Sequence, residues 1–297
     1  MKRGTGSIGR GLVLVGALAL ALGARGQDSG SGQQKQAPAP QQQTPPTQQQ
    51  PPSQPQQSSS PLDVGAPAAP VANPEEDAAF QAFSKTDSGP DKIKAGEDFL
   101  QKYPQSRYLP PLYWGLVIEY YISHQTEKTI ETGKKAIEIN PGNPTILAIT
   151  AQTMARTWKP NLPDSDANLD AAEKFSKDAL DALTAAPKPA GVSDEDFNQN
   201  KSVVAAMAHS SLGTVDLYRQ KYADAITELQ AAVSSTKQPD PADYFLLGMA
   251  EQDAAHFDDA AAAYGKCAEA AGGMQARCKS KQEQAKKQAS TQLSAPK

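Results

Sequence analysis

Residues 210–272 repeat themselves. Leu212 and Gly213 recur as Leu247 and Gly248, Tyr222 as Phe257, Asp224 as Asp259 and Ala225 as Ala260, every pair thirty-five positions apart. One offset shared by small, aromatic and aliphatic slots is hard to reach by chance. A period of this length, with Leu-Gly in one helix and aromatic-x-x-Ala opening the next, marks a helical solenoid, an architecture that usually works by binding. Small residues such as Gly213, Gly248, Ala225 and Ala260 let two helices approach closely. Larger ones such as Leu212, Leu247, Tyr222 and Phe257 fill the gaps.

The rest of the composition suits such an array. A chain of 297 residues has room for two globular domains, but 6% aromatic residues with 24 Pro and 21 Gly are poor material for one large core. A repeat array needs no single core, because each helix pair buries its apolar stripe against its neighbours. The formal net charge is −4; the first 26 residues hold four cations and no acid, so the remainder carries −8. That argues against broad nucleic-acid binding, which depends on neutralising phosphates.

Lys2, Arg3 and Arg10 precede an apolar run over residues 12–22, and Ala24-Arg25-Gly26 follows with small residues at alternate positions. This is the three-part layout of a secretory signal peptide, so residues 1–26 are expected to be removed after Gly26 on export to the periplasm or the extracellular space. The apolar run falls well short of the ~20 residues that span a bilayer as a helix, and no transmembrane span is expected after signal removal. No Cys stands at the cleavage site to take a lipid. Residues 27–74 are dominated by Gln, Pro, Ser and Gly. With little to bury, they are expected to form a disordered linker with polyproline II character. At about 3.1 Å per residue it would reach on the order of 100 Å. It reads equally as a tether or as a solubilising tail.

From Glu75 onward the pattern is helical. Glu75-Glu76-Asp77 suit a helix start, and Ala78, Phe80, Ala82 and Phe83 begin an apolar face. A second helix from about Asp91 closes with Phe-Leu-Gln-Lys-Tyr-Pro-Gln-Ser at 99–106, which resembles the end of a degenerate repeat of exported bacterial repeat proteins. In the next unit Tyr113, Leu116 and Tyr120 share one helix face, followed by Ala136 and, at the turn, Pro141, and all five are expected to be packing positions of the repeat. This unit resembles the tetratricopeptide repeat, with Val117 and Gly133 departing from the family's small and aromatic slots. A third unit carries Leu147, Ala151 and Met154, then Leu169, Ala172 and Ala179, with an insertion near residues 158–166. The last two units match best, through Leu212, Gly213, Tyr222 and Ala225, then Leu247, Gly248, Phe257, Ala260 and Tyr264.

The resemblance implies an all-α, right-handed solenoid of helical hairpins over residues 75–272, about five pairs, preceded by the signal peptide and linker. Residues 273–297 are expected to supply a helix and polar tail. A thin stripe of Met274, Cys278, Ala285 and Ala289 among lysines suits a capping helix, with a basic interaction tail as the alternative.

Catalytic constellations are missing. His124, His209 and His256 are scattered, none with a recognisable metal spacing, and His209 falls in a packing slot. No nucleophile motif, phosphate loop or dinucleotide fingerprint occurs. Asp164, Asp166 and Asp170 suit a solvated loop and a helix start. The reading is of a non-enzyme without cofactor or metal. Cys267 and Cys278 would occupy an oxidising compartment after export and form either a disulfide stapling the last helix or two small buried residues.

In tetratricopeptide arrays the first helix of each pair lines the concave face. The resemblance therefore implies a partner-binding strip of Trp114, Ile118 and Tyr121; Gln152 and Arg156; Thr214, Leu217 and Tyr218; and Phe245, Met249 and Gln252. Some members grip a terminal carboxylate with Lys, Arg and Asn here, and only Arg156 could contribute. The expected function is an exported scaffold binding an apolar segment of another protein, with burial of this strip as the competing reading. The alternative function is a structural or self-assembly module of the cell envelope.

Overall fold

The computed structural model describes residues 73–293. The expected signal peptide and linker lie outside the described residues, except Asn73 and Pro74, and so does the end of the polar tail at 294–297. Eleven helices and no strand occur among the described residues. They run as five hairpins and a terminal helix: α1 (Pro74–Lys85) with α2 (Pro90–Lys102), α3 (Leu109–Ile122) with α4 (Thr126–Ile139), and α5 (Pro144–Thr157) with α6 (Ser165–Ala185). After these come α7 (Asp194–Tyr218) with α8 (Tyr222–Ser235), α9 (Pro241–Asp253) with α10 (Phe257–Glu269), and α11 (Gln275–Leu293). Each helix packs on the one before it and the one after it. That unbroken series is what stacked repeats produce, since each unit finds its core at its neighbours.

Local chemistry sets the helix starts. Asn73 accepts hydrogen bonds from the Glu75 and Glu76 amides, Asn143 from Thr145 and Ile146, and Asp240 from Ala242. In each case a proline follows the cap, at Pro74, Pro144 and Pro241, where its missing N–H costs nothing. Asn73 and Pro74 therefore belong to the first helix of the array and not to the linker. The turns inside the hairpins also repeat. His124, Gln220 and Ala255 have φ of 56°, 61° and 61°, and the amide after each donates to the carbonyl five residues back. Those bonds, Gln125 to Tyr120, Lys221 to Asp216 and His256 to Glu251, measure 2.9, 2.9 and 2.8 Å. This is left-handed helix termination without glycine. The third hairpin instead carries the expected insertion, knit by the Ser165 hydroxyl to Lys159 and Leu162 and by the Trp158 indole N–H to the Ser165 carbonyl.

Close approach inside the hairpins explains the shared offset of the repeat. A Cβ on Gly213 would lie 2.5 Å from Leu229 Cγ, and one on Gly248 would lie 2.7 Å from Tyr264 Cδ1. Leu116, Tyr120, Ala136, Leu212, Ala225, Leu247, Ala260 and Tyr264 are buried, with Tyr113 and Tyr222 half-buried against their clusters and Phe257 half-buried at the start of α10. Pro141 is a correction: it is exposed, and its place after the α4 C-cap Asn140 makes it a stop and not a packing residue. The two departures from the family pattern are core. Val117 is fully buried, and a Cβ on Gly133 would meet Thr150 Oγ1 at 2.1 Å, so α4 and α5 touch there.

Replacing Gly133 by Ala should cost about 1–3 kcal/mol, the range for overpacking a close contact. Thr150→Ala in the same chain should restore more than half of it. Urea unfolding of the single and double variants measures both.

Candidate partner-binding face

The odd-numbered helices α3, α5, α7 and α9 contact one another in sequence more closely than alternate even-numbered helices do, so the odd side is the inner side of the curve. On it Trp114, Ile118 and Tyr121 are spaced four and three residues apart along α3. They lie half-buried against the cluster that includes Ile146, Ile149 and Ala208. The Tyr121 hydroxyl donates to Gln152 Oε1 at 2.9 Å.

The structure takes four members of the expected strip out of reach. Gln152 is 3% exposed, Thr214 fully buried, and Leu217 and Phe245 each 5% exposed. Gln152 and Thr214 lie on α5 and α7, the odd helices that pack most extensively on each other. Leu217 belongs to a cluster with Leu229, Leu247 and Ala250. Phe245 packs on Tyr264 at 5.6 Å and is capped by the Arg277 guanidinium of α11, 4.5 Å from its ring. Gln252 is half-buried and committed within the fold, accepting from the Tyr264 hydroxyl and donating to Gln288 of α11. Met249 is half-buried between the last two core clusters.

Tyr218 leaves the strip altogether. Its ring packs on Trp158, 4.6 Å between centroids, and the two line a cavity of about 720 Å³ with Leu162, Asp166 and Arg219 beneath the insertion. Arg219 is neutralised there by Asp170 and Glu173. Hydrogen bonds from Lys177 first, then Arg219, hold the Glu173 carboxyl down at about 2.

Arg156 is the polar centre of the face. From α5 its Nη1 donates to Asp240 at 2.7 Å, and its Nη2 donates to Asp243 and to Ser210 Oγ, the latter at 3.0 Å. The Ser210 hydroxyl in turn donates to Asp243. The clasp thus crosses α7 to grip the start of α9. Burial works against the Arg156 charge, yet the two carboxylates outweigh it and raise its pKa. For Asp243, burial dominates and pushes the carboxyl up in spite of Arg156 and Ser210. For the more open Asp240, burial pushes the same way, but Arg156 and the Ala242 amide prevail and hold it low. Partners 84 and 87 residues away leave no local pattern, so Asp240, Asp243 and Ser210 could not be read as site residues.

Two further clusters lie at the C-terminal end. Cys267 and Cys278 are joined in a disulfide linking α10 to α11, with Cα atoms 5.8 Å apart. Glu251, His256 and Asp259 place ligand atoms within 4.8 Å of one another, a grouping that the spacing of His256 did not suggest.

No family model matches the chain. No curated protein matches it either. Among solved structures it is similar to a thermophilic TPR protein from Thermus thermophilus, with 16% identity and a TM-score of 0.44, over 69% of this chain and 95% of that one. At that TM-score the fold assignment rests on the helix order and turns of this chain itself.

Arg156→Met should strand the Asp243 carboxylate and cost about 3 kcal/mol, the low end for breaking a buried pair, because Arg156 keeps some exposure. Adding Asp243→Asn, which can still accept from Ser210, should recover more than half. Denaturant midpoints of the two variants decide it.

Proposed function

We propose that the chain is an exported interaction scaffold of tetratricopeptide-like architecture, which holds an apolar segment of a partner protein against α3 on the inner side of the array. The observation that carries the reading is the row Trp114, Ile118 and Tyr121, half-exposed on the odd side next to the buried stretch 145–155 of α5. Large aromatic and aliphatic side chains presented along one helix face are the anchors a bound segment needs. The neighbouring Arg156 is neutralised by Asp240 and Asp243, which favours an apolar segment over a free carboxylate as the ligand. Export to the periplasm or beyond is supported by the N-terminal charge and hydropathy pattern and by the Cys267–Cys278 pair, which persists in oxidising compartments. No helix among the described residues is long and apolar enough to cross a membrane.

Affinity purification from the envelope fraction with the wild-type chain and with Trp114→Ser/Ile118→Ser tests the proposal. The double variant should lose partner capture by about tenfold or more, as for loss of interface anchors, while its thermal melt still reports a folded array. Undiminished capture by a folded variant would contradict it. If the partner is a second copy of the chain, light scattering will show a mass that rises with concentration and falls in the variant.

A further inference from the structure

We infer that Glu251, His256 and Asp259 form a binding site for a divalent first-row transition metal ion at the turn between α9 and α10. The three residues offer one imidazole and two carboxylates, with ligand atoms all within 4.8 Å of one another. His256 Nδ1 and Glu251 Oε2 are already 2.9 Å apart. Two ligands on one ion with bonds of about 2.0–2.2 Å stand about 3 Å apart, so the two atoms already have the separation of neighbouring ligands, and a metal would displace the hydrogen bond between them as both turn toward it. Asp259 is exposed on the first turn of α10 and free to close the remaining distance by a side-chain rotation. An imidazole in the set favours zinc and its neighbours over calcium and magnesium, which take oxygen ligands.

Burial gives the second argument. The Glu251 side chain is 6% exposed, and His256 Nδ1 is its one side-chain partner among the described residues. A carboxylate has about four acceptor positions, so the contact with His256 leaves Glu251 with acceptor positions that a cation could engage.

The preceding repeat shows what these positions accommodate. Thirty-five residues earlier stand Asp216, Lys221 and Asp224, on the same left-handed turn, with Gln220 and Ala255 both at φ 61° and matching backbone bonds from Lys221 to Asp216 and from His256 to Glu251. There the chain brings its own cation, the Lys221 ammonium, 3.7 Å from Asp216 Oδ1. In the last repeat an imidazole replaces the ammonium, and a ligand replaces a fixed charge. An ion held there would pin α9 to α10, and the disulfide carries the constraint on to α11.

Titration calorimetry of the full, tag-free chain with Zn²⁺ alone tests the site, with thermal melts in parallel. The wild type should bind one equivalent saturably and melt at a higher temperature with the metal. His256→Lys copies the preceding repeat, so it should keep the metal-free melt and weaken binding by about tenfold or more, at least the loss seen when groups supporting a metal ligand are removed. His124→Gln and His209→Gln should bind as the wild type does. Absence of saturable binding, or wild-type binding by His256→Lys, would overturn the assignment.

Discussion

One helical stretch shut away from water on every side is the constraint from which the rest of the array follows. Residues 145–155 of α5 are buried without a break, between α4 and α6 along the chain and α3 and α7 on the inner side. A helix with no outer face must be short of charge and must satisfy its polar groups internally. The α5 segment carries no charge, and most of its polar groups are met internally: Thr153 returns its hydroxyl to the Ile149 carbonyl, Gln152 accepts from Tyr121, and the amides of Thr145 and Ile146 are met by Asn143. The fully buried Thr150 hydroxyl, against Gly133, is the exception, without a partner among the described residues. Gly133 lets α4 come close enough to seal one flank.

The same closeness that builds this core consumes much of the inner face. Where α5 and α7 meet, Gln152 and Thr214 become interior, and Arg156 at the end of α5 spends its charge bridging to α9. Binding capacity is displaced to the flank, where α3 presents Trp114, Ile118 and Tyr121. Toward the C-terminus the limit is different. There α11 sits where a further repeat would begin, and its Arg277 and Gln288 cover Phe245 and engage Gln252. A cap of this kind protects the last apolar face at the expense of its use as a ligand surface.

Features governed by neighbours in the chain were legible in the sequence. The Leu-Gly and aromatic-x-x-Ala slots read correctly as helix contacts, because steric fit within a hairpin involves residues such as Gly213 and Leu229 only sixteen positions apart. The insertion after α5 was legible from its prolines, and the last helix from its thin apolar stripe. What could not be read depends on how far successive pairs close on one another. A periodic pattern places Phe245 and Leu217 on the inner side but does not tell whether a neighbouring helix covers them. The Arg156 clasp and the Glu251, His256, Asp259 group need a fold to bring them together, the first across two repeats and the second around a turn whose left-handed residue, Ala255, carries no glycine signal.

If stability radiates from the enclosed α5, opening free energies should fall away from it along the array. Native-state hydrogen exchange resolved by helix measures this most directly. The account predicts the slowest amides in α5 and the facing part of α7, intermediate protection in α9 to α11, where the disulfide restrains the end, and the fastest exchange in α1 and α2. Protection in α1 and α2 equal to that of α5, or a maximum outside α5 and α7, would contradict it.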